Sequence, residues 1–267
     1  ARKLGDERRP TMSDEYKNAL IDTIISCEDE NGCWNVLKEN DPRYHNYKQW
    51  NYYVPTYSST LWTLILTADI GSRYKKSRFL KPLKIISDRF YDEENGIYTL
   101  KGSHFPIPCL NGNMLYLNNY FESGDDVRIN TVIDFFYKYQ RFDDGDYKTS
   151  SSYPYFSNKS CYGRHSCYWG IVKLLKGLSF VPKDRRSENA KKLMKSCIEF
   201  ILLHEVCYSS KNPEEFVNKI IKDLTFPNMY KADFLEILWI LKREEIRSKK
   251  MEKALRILES KMSNDGL

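Results

Sequence analysis

Apolar residues recur at three- and four-residue spacing in four stretches: Asp14 to Ser26, Leu80 to Phe90, Val127 to Tyr139 and Lys249 to Lys261. That period lays one apolar stripe along a helix and predicts amphipathic helices with a single buried face. Four other stretches are apolar almost throughout: Ser59 to Ile70, Leu110 to Phe121, Ser166 to Phe180 and Tyr230 to Leu241. These read as helices buried nearly all round. Polar turns follow the amphipathic set, "CEDENGCW", "YDEENGIY", "QRFDDGDY" and "SKMSNDGL", in which Asn and Asp bond their own backbone and Gly accepts positive φ. Strand-like alternation is scarce, and the Tyr-rich "YHNYKQWNYYVPTY" reads as an ordered loop. One-sided and all-apolar helices alternating at a repeat of about 50 residues or more predict helical hairpins stacked in a curved or closed double layer. The all-apolar set forms its inner side.

Composition narrows the class. The 267 residues, 41% apolar and 29% charged, suffice for one large core, so the expected organisation is a tail over 1–12 and a single all-α domain over 13–267. No stretch approaches the roughly 20 apolar residues of a membrane span, and the start "ARKLGDERRP" has no apolar segment of a secretory signal. A cytoplasmic protein is expected. Seven cysteines, an odd number without framework spacing, fit a reducing compartment and leave thiols for metal or chemistry. The net charge of +6 is spread over short basic runs beside helix ends, which describes a solvated surface and not a nucleic-acid face.

The hairpins with acidic-Gly-aromatic turns resemble the repeats of the squalene cyclase and protein prenyltransferase superfamily, an α/α toroid. More narrowly, the chain from about Asp14 onward looks like prokaryotic prenyltransferase or squalene-cyclase repeat proteins through "YSSTLW", "PCLNGNML", "CYGRHSC" and "YKADFLEIL". Four or five hairpins are fewer than the six of a closed toroid, which implies an open or incomplete ring.

In a toroid the N-terminal ends of the inner helices meet at one mouth of the central cavity. That arrangement gathers Tyr57, Ser59 and Thr60 from the first; Cys109, Asn111 and Asn113 from the second; Cys161, Arg164, His165 and Cys167 from the third; and Asn228, Tyr230 and Asp233 from the fourth. Ser59 and Asn228 also suit helix caps. "HSCY" resembles the "HTCY" stretch of prenyltransferase β subunits, whose histidine binds catalytic zinc, so the resemblance makes His165 a candidate zinc ligand with Cys109. The family's carboxylate ligand would stand at 107, which is isoleucine here; Cys161 is its candidate replacement, and Cys167 would complete a closed site. Thiolates and imidazole in tetrahedral geometry are what zinc prefers. The bland alternative makes Cys167 core, and Cys161 and His165 hydrogen-bonded pocket residues.

Arg164 beside helix starts suits an anion such as diphosphate or carboxylate; the alternative is an ion pair with Asp233. Aromatics such as Trp62, Tyr116, Tyr168, Trp169 and Trp239 either wall a lipid pocket or fill the core. "FDDGD" lacks an acid at 145 and 147 and reads as a turn, His204 and Cys207 are either further ligands or, at the close of an outer helix, surface or hinge residues, and His104 is a further candidate ligand or base. Three functions follow. The first is a prenyltransferase- or cyclase-like enzyme, with zinc as its candidate cofactor, acting on an apolar or anionic small molecule, alone or with a second subunit. The second is a polysaccharide-lyase-like enzyme using Asn111 or Asn113, His165, Arg164 and Tyr57 or Tyr230. The third is a non-catalytic helical-repeat module. Catalytic candidates are thus His165, Arg164, Tyr57, Asn111, Tyr230 and Asp233.

Overall fold

The computed structural model describes residues 12–100, 104–145, 148, 150–156 and 159–262. The chain is mostly helical, as the periodicities predict. Eleven α-helices occur among the described residues: α1 (Asp14–Ser26), α2 (Tyr44–Tyr47), α3 (Thr60–Ile70), α4 (Leu80–Phe90), α5 (Pro108–Tyr120), α6 (Asp126–Tyr139), α7 (Lys159–Tyr162), α8 (Tyr168–Ser179), α9 (Glu188–Leu203), α10 (Phe234–Arg243) and α11 (Glu252–Lys261). A two-residue hairpin, Tyr91–Asp92 against Ile97–Tyr98, closes the "YDEENGIY" turn, with Gly96 at φ +69. The Tyr-rich loop carries α2 and a 3-10 turn, Lys48–Trp50. Most of the expected tail and the end of the last turn, with Asp146 and Tyr147 of "QRFDDGDY", lie outside the described residues.

The two helix classes separate by burial as their patterns require. In α5 and α8 ten residues each are buried, whereas α1 buries Ile21 and α11 buries Ala254. Neighbours along the buried set touch in chain order: α3 packs on α5, α5 on α8 and α8 on α10. The one-sided helices cover them, α1 and α4 on α3, α6 on α5, α9 on α8 and α11 on α10. One large apolar cluster runs through all of them, and a small one forms around Phe105, Cys161 and Tyr162.

The α5–α8 contact is the most extensive, and glycine makes it close. A Cβ on Gly112 would stand 2.3 Å from the carbonyl carbon and oxygen of Lys173, and one on Gly177 would stand 2.4 Å from the Gly112 carbonyl oxygen. Removing side chains at the crossing lets two backbones approach within ordinary contact distance.

Helix starts fall slightly off the sequence expectation, for local reasons. Asp233, and not Asn228, caps α10: its Oδ1 accepts from the Glu236 amide, 2.8 Å, and its Oδ2 from the Thr225 amide, 2.8 Å. Tyr230 therefore precedes the helix. Ser59 makes no cap hydrogen bond and gives its hydroxyl to the Tyr52 carbonyl, 2.9 Å. Before α8, Ser166 donates its amide to Asp143 and accepts from the Asp143 amide, so that helix begins at Tyr168.

Candidate functional site

Four charges lie inside the otherwise apolar inner helices. Lys173 on α8 is fully buried, and its Nζ donates to both carboxylate oxygens of Glu236 on α10 at 2.8 Å. One turn on, Lys176 Nζ donates to Glu236 Oε1, which it shares with Lys173, at 2.8 Å and to Asp69 Oδ1 on α3 at 2.7 Å. Tyr116 on α5 adds its hydroxyl to the same Asp69 oxygen at 2.9 Å, and its ring lies 4.3 Å below the Lys176 ammonium. Each inner helix supplies a member, and the two ammonium and two carboxylate charges cancel.

Burial opposes the charges of Lys173, Lys176 and Glu236, and the partners decide the outcome. Burial holds Lys173 below its ordinary value. At Lys176 the same penalty is outweighed by Glu236 and Asp69, so this ammonium is held above it. Glu236, which burial alone would raise, is lowered by Lys173 and Lys176. Burial pushes the Tyr116 phenol well up, with Asp69 adding to the effect. The set is charged, neutral in sum and hydrogen-bonded, the condition under which buried ions are tolerated.

This network is the floor of a cavity of about 580 Å³ between the four inner helices, where Asp69, Tyr116, Lys176 and Glu236 reach the lining. The walls include Tyr120, Phe180, Leu224, Phe226, Leu235 and Trp239. A second cavity of about 770 Å³ shares Gly71, Tyr120 and Phe180 with the first and carries Arg73, Lys76, Arg185 and Arg243. An apolar-walled hollow with a polar floor thus continues into a cationic one. The sequence carried a signal for the floor that its apolar reading passed over: Asp69, Lys173, Lys176 and Glu236 stand in stretches assigned as buried all round, where any charge must find a partner.

Of the residues singled out at the N-terminal ends, Asn228 and Asp233 line the 580 Å³ cavity itself, and others come together in part. Tyr57 and Tyr230 stack, with centroids 6.0 Å apart, planes at 8° and a hydroxyl-to-hydroxyl hydrogen bond of 3.2 Å. Trp62 and Trp169 stand edge-on to Tyr230. The thiols of Cys161 and Cys167 hydrogen-bond each other, raising Cys161 and holding Cys167 at about 7, where the Gly170 and Trp169 amides assist against burial. Cys109 is pushed up to about 12 by burial, with Cys167 adding to it.

Other expected members point elsewhere. His165 sets Nδ1 3.5 Å from Asp144 Oδ1 and lines one hollow with Cys167. Arg164 is exposed and donates to the Gly145 carbonyl at 3.1 Å, not to Asp233. Asn111 spends its amide on both backbone groups of Tyr98, each at 2.8 Å. Asn113 donates to the Met229 carbonyl at 3.2 Å, and its Oδ1 is buried without a partner. His104 is exposed, with Nδ1 3.1 Å from Asp92 Oδ2. His204 and Cys207 are buried, not surface residues, because the chain after α9 folds back over them. Among the described residues no group of three or more His, Cys, Asp and Glu side chains is gathered to hold a metal as it stands. The thiols and His165 form no such group as they stand.

No protein-family model, curated protein or solved structure matches the chain. No helix among the described residues is long and apolar enough to cross a membrane.

Proposed function

We propose that the chain is an α/α-toroid-type protein of prenyltransferase or terpenoid-cyclase kind, with an open ring of hairpins, which binds an amphipathic small molecule between its inner helices and acts on it. The observation that carries this reading is the cavity of about 580 Å³ with aromatic walls and the Asp69, Lys176 and Glu236 floor. Apolar pockets with a few convergent polar groups are the usual form of a small-molecule site. The alternation of buried and one-sided helices supports the hairpin ring. The cationic cavity beyond Tyr120 and Phe180 suits an anionic head whose apolar tail lies against Trp239 and Leu235. Tyr116 and Lys176 are the residues best placed to orient a polar group, since both are held rigidly by Asp69.

The test is a titration of the full chain with farnesyl diphosphate, farnesol and inorganic diphosphate, read by intrinsic tryptophan fluorescence. Farnesyl diphosphate should bind tightest. Equal binding of inorganic diphosphate alone would remove the apolar half of the reading.

A non-catalytic binding module is the second reading, favoured by the exposed rim of Leu224, Phe226, Leu235 and Trp239, with Phe226 65% exposed. Contiguous exposed apolar residues mark contact surfaces as well as ligand mouths. Turnover of a bound isoprenoid separates the two. The lyase reading needs the Asn111 or Asn113 amide on substrate, and these amides are given to Tyr98 and to the Met229 carbonyl.

A further inference from the structure

Asp143–Gly145 and Arg164–Ser166 are tied backbone to backbone: the Gly145 amide donates to the Arg164 carbonyl at 3.0 Å and the Ser166 amide to the Asp143 carbonyl at 2.9 Å. This register sets Asp144 opposite His165. From a third direction the end of α9 brings in His204, whose side chain is 7% exposed. Its Nδ1 lies 3.0 Å from the Tyr208 carbonyl. A carbonyl only accepts, so Nδ1 carries the proton and the neutral ring turns a lone pair inward at Nε2. That nitrogen is buried without a hydrogen-bond partner.

His204 Nε2 and His165 Nδ1 face one oxygen, Asp144 Oδ1, at 3.7 and 3.5 Å. Both separations stand at or beyond the limit of a hydrogen bond. They are close to the spacing of about 3.4 Å between two ligands bound about 2.1 Å from a tetrahedral ion. Behind the donors, Ser210 donates its hydroxyl to the other Asp144 oxygen and Tyr208 fixes the His204 ring. Such outer partners are what orient metal ligands.

We propose that Asp144, His165 and His204 bind a first-row divalent metal ion, best matched by Zn²⁺. Asp144 and His204 are the pre-built half. His165, 64% exposed, is the arm that turns onto the ion and closes a set that is open as it stands. The site shares no thiol with the one the "HSCY" resemblance implies, and it does not depend on the proposed isoprenoid cavity. Three protein ligands leave a position toward a hollow of about 470 Å³ lined also by Ser209 and Glu215, so the ion is accessible to an exogenous ligand. Lys211 stands on the same side: its Nζ and His165 Cε1 would lie 2.6 and 2.7 Å from a Cβ on Gly145.

The experiment titrates the chelator-treated full chain with Zn²⁺ by calorimetry and with Co²⁺ by absorption. The expected result is one ion per chain, with cobalt ligand-field bands and no thiolate-to-cobalt charge-transfer band. Affinity should fall tenfold or more in His165→Ala and Asp144→Asn and remain unchanged in Cys109→Ser and Cys161→Ser. His165 is exposed, so its variant tests the site without threatening the fold; His204→Gln is added with a thermal melt as its folding control. Failure of the wild-type chain to bind either ion overturns the proposal. So does a thiolate band lost in the cysteine variants, or unchanged affinity in His165→Ala.

Discussion

Lys173 is fully buried and gives its ammonium to both oxygens of Glu236, a residue on a different inner helix, at 2.8 Å. The pair ties α8 to α10, and through Lys176 and Asp69 it reaches α3. The same network floors the candidate binding cavity. A feature that sets the spacing of the inner helices therefore also sets the shape and polarity of the site.

Glu236→Ala leaves Lys173 without its partner in the core and should cost about 3–5 kcal/mol. Lys176 keeps Asp69. The double replacement Lys173→Met with Glu236→Leu removes both charges and should recover most of that loss, since apolar groups of similar volume replace buried ion pairs at little cost. Urea denaturation of the wild type, the two single variants and the double variant gives the coupling directly.

Acid should expose the same pair. The Glu236 carboxyl is held below its ordinary value of 4.5, so the unfolded chain binds the extra proton first as pH falls. Its contribution to stability is complete above about 4.5 and is lost below that value, through the lowered folded value. The urea midpoint should drop below about pH 5, and in Glu236→Gln that acid limb should be shallower.

Gly112→Ala places a methyl group 2.3 Å from the Lys173 carbonyl. Backbone cannot yield as a flexible side chain can, so α5 and α8 must separate, at a cost of about 3 kcal/mol. A lowered melting temperature with retained far-UV helicity is the expected outcome. An unchanged melt would contradict the close crossing.

Asn111 separates a structural from a catalytic role. Asn111→Ala strands the amide and carbonyl of Tyr98, which is 1% exposed, and should cost about 2–3 kcal/mol. Ligand affinity measured well below the melting temperature should stay the same.

The helices were legible because their signals are local. Three- and four-residue spacing in Leu80–Phe90 and near-continuous apolar runs in α8 survive any tertiary arrangement. The direction of His165 was not legible: it follows from a backbone bridge to Asp144, a residue far earlier in the chain, which no spacing within "CYGRHSC" encodes. Cys109, Cys161 and Cys167 do come near one another, as placement at inner-helix starts implies. The cavity floor was missed because Asp69 and Glu236 each stand alone among apolar neighbours in a stretch that is apolar almost throughout. Their meaning lies in a pairing with Lys176 across three helices.

The most direct measurement of the central claim is the affinity of farnesyl diphosphate for the wild-type chain beside Leu235→Arg and Arg73→Ala, with Trp239→Phe marking the fluorescence signal. Leu235 lines the apolar cavity and Arg73 the cationic one. The account predicts saturable quenching that is carried by Trp239 and weakened about tenfold or more in both variants, since a charge on the tail wall and a lost charge-assisted hydrogen bond at the head each cost about 1.5–3 kcal/mol. Absence of saturable binding, or equal affinity in all three chains, would contradict it.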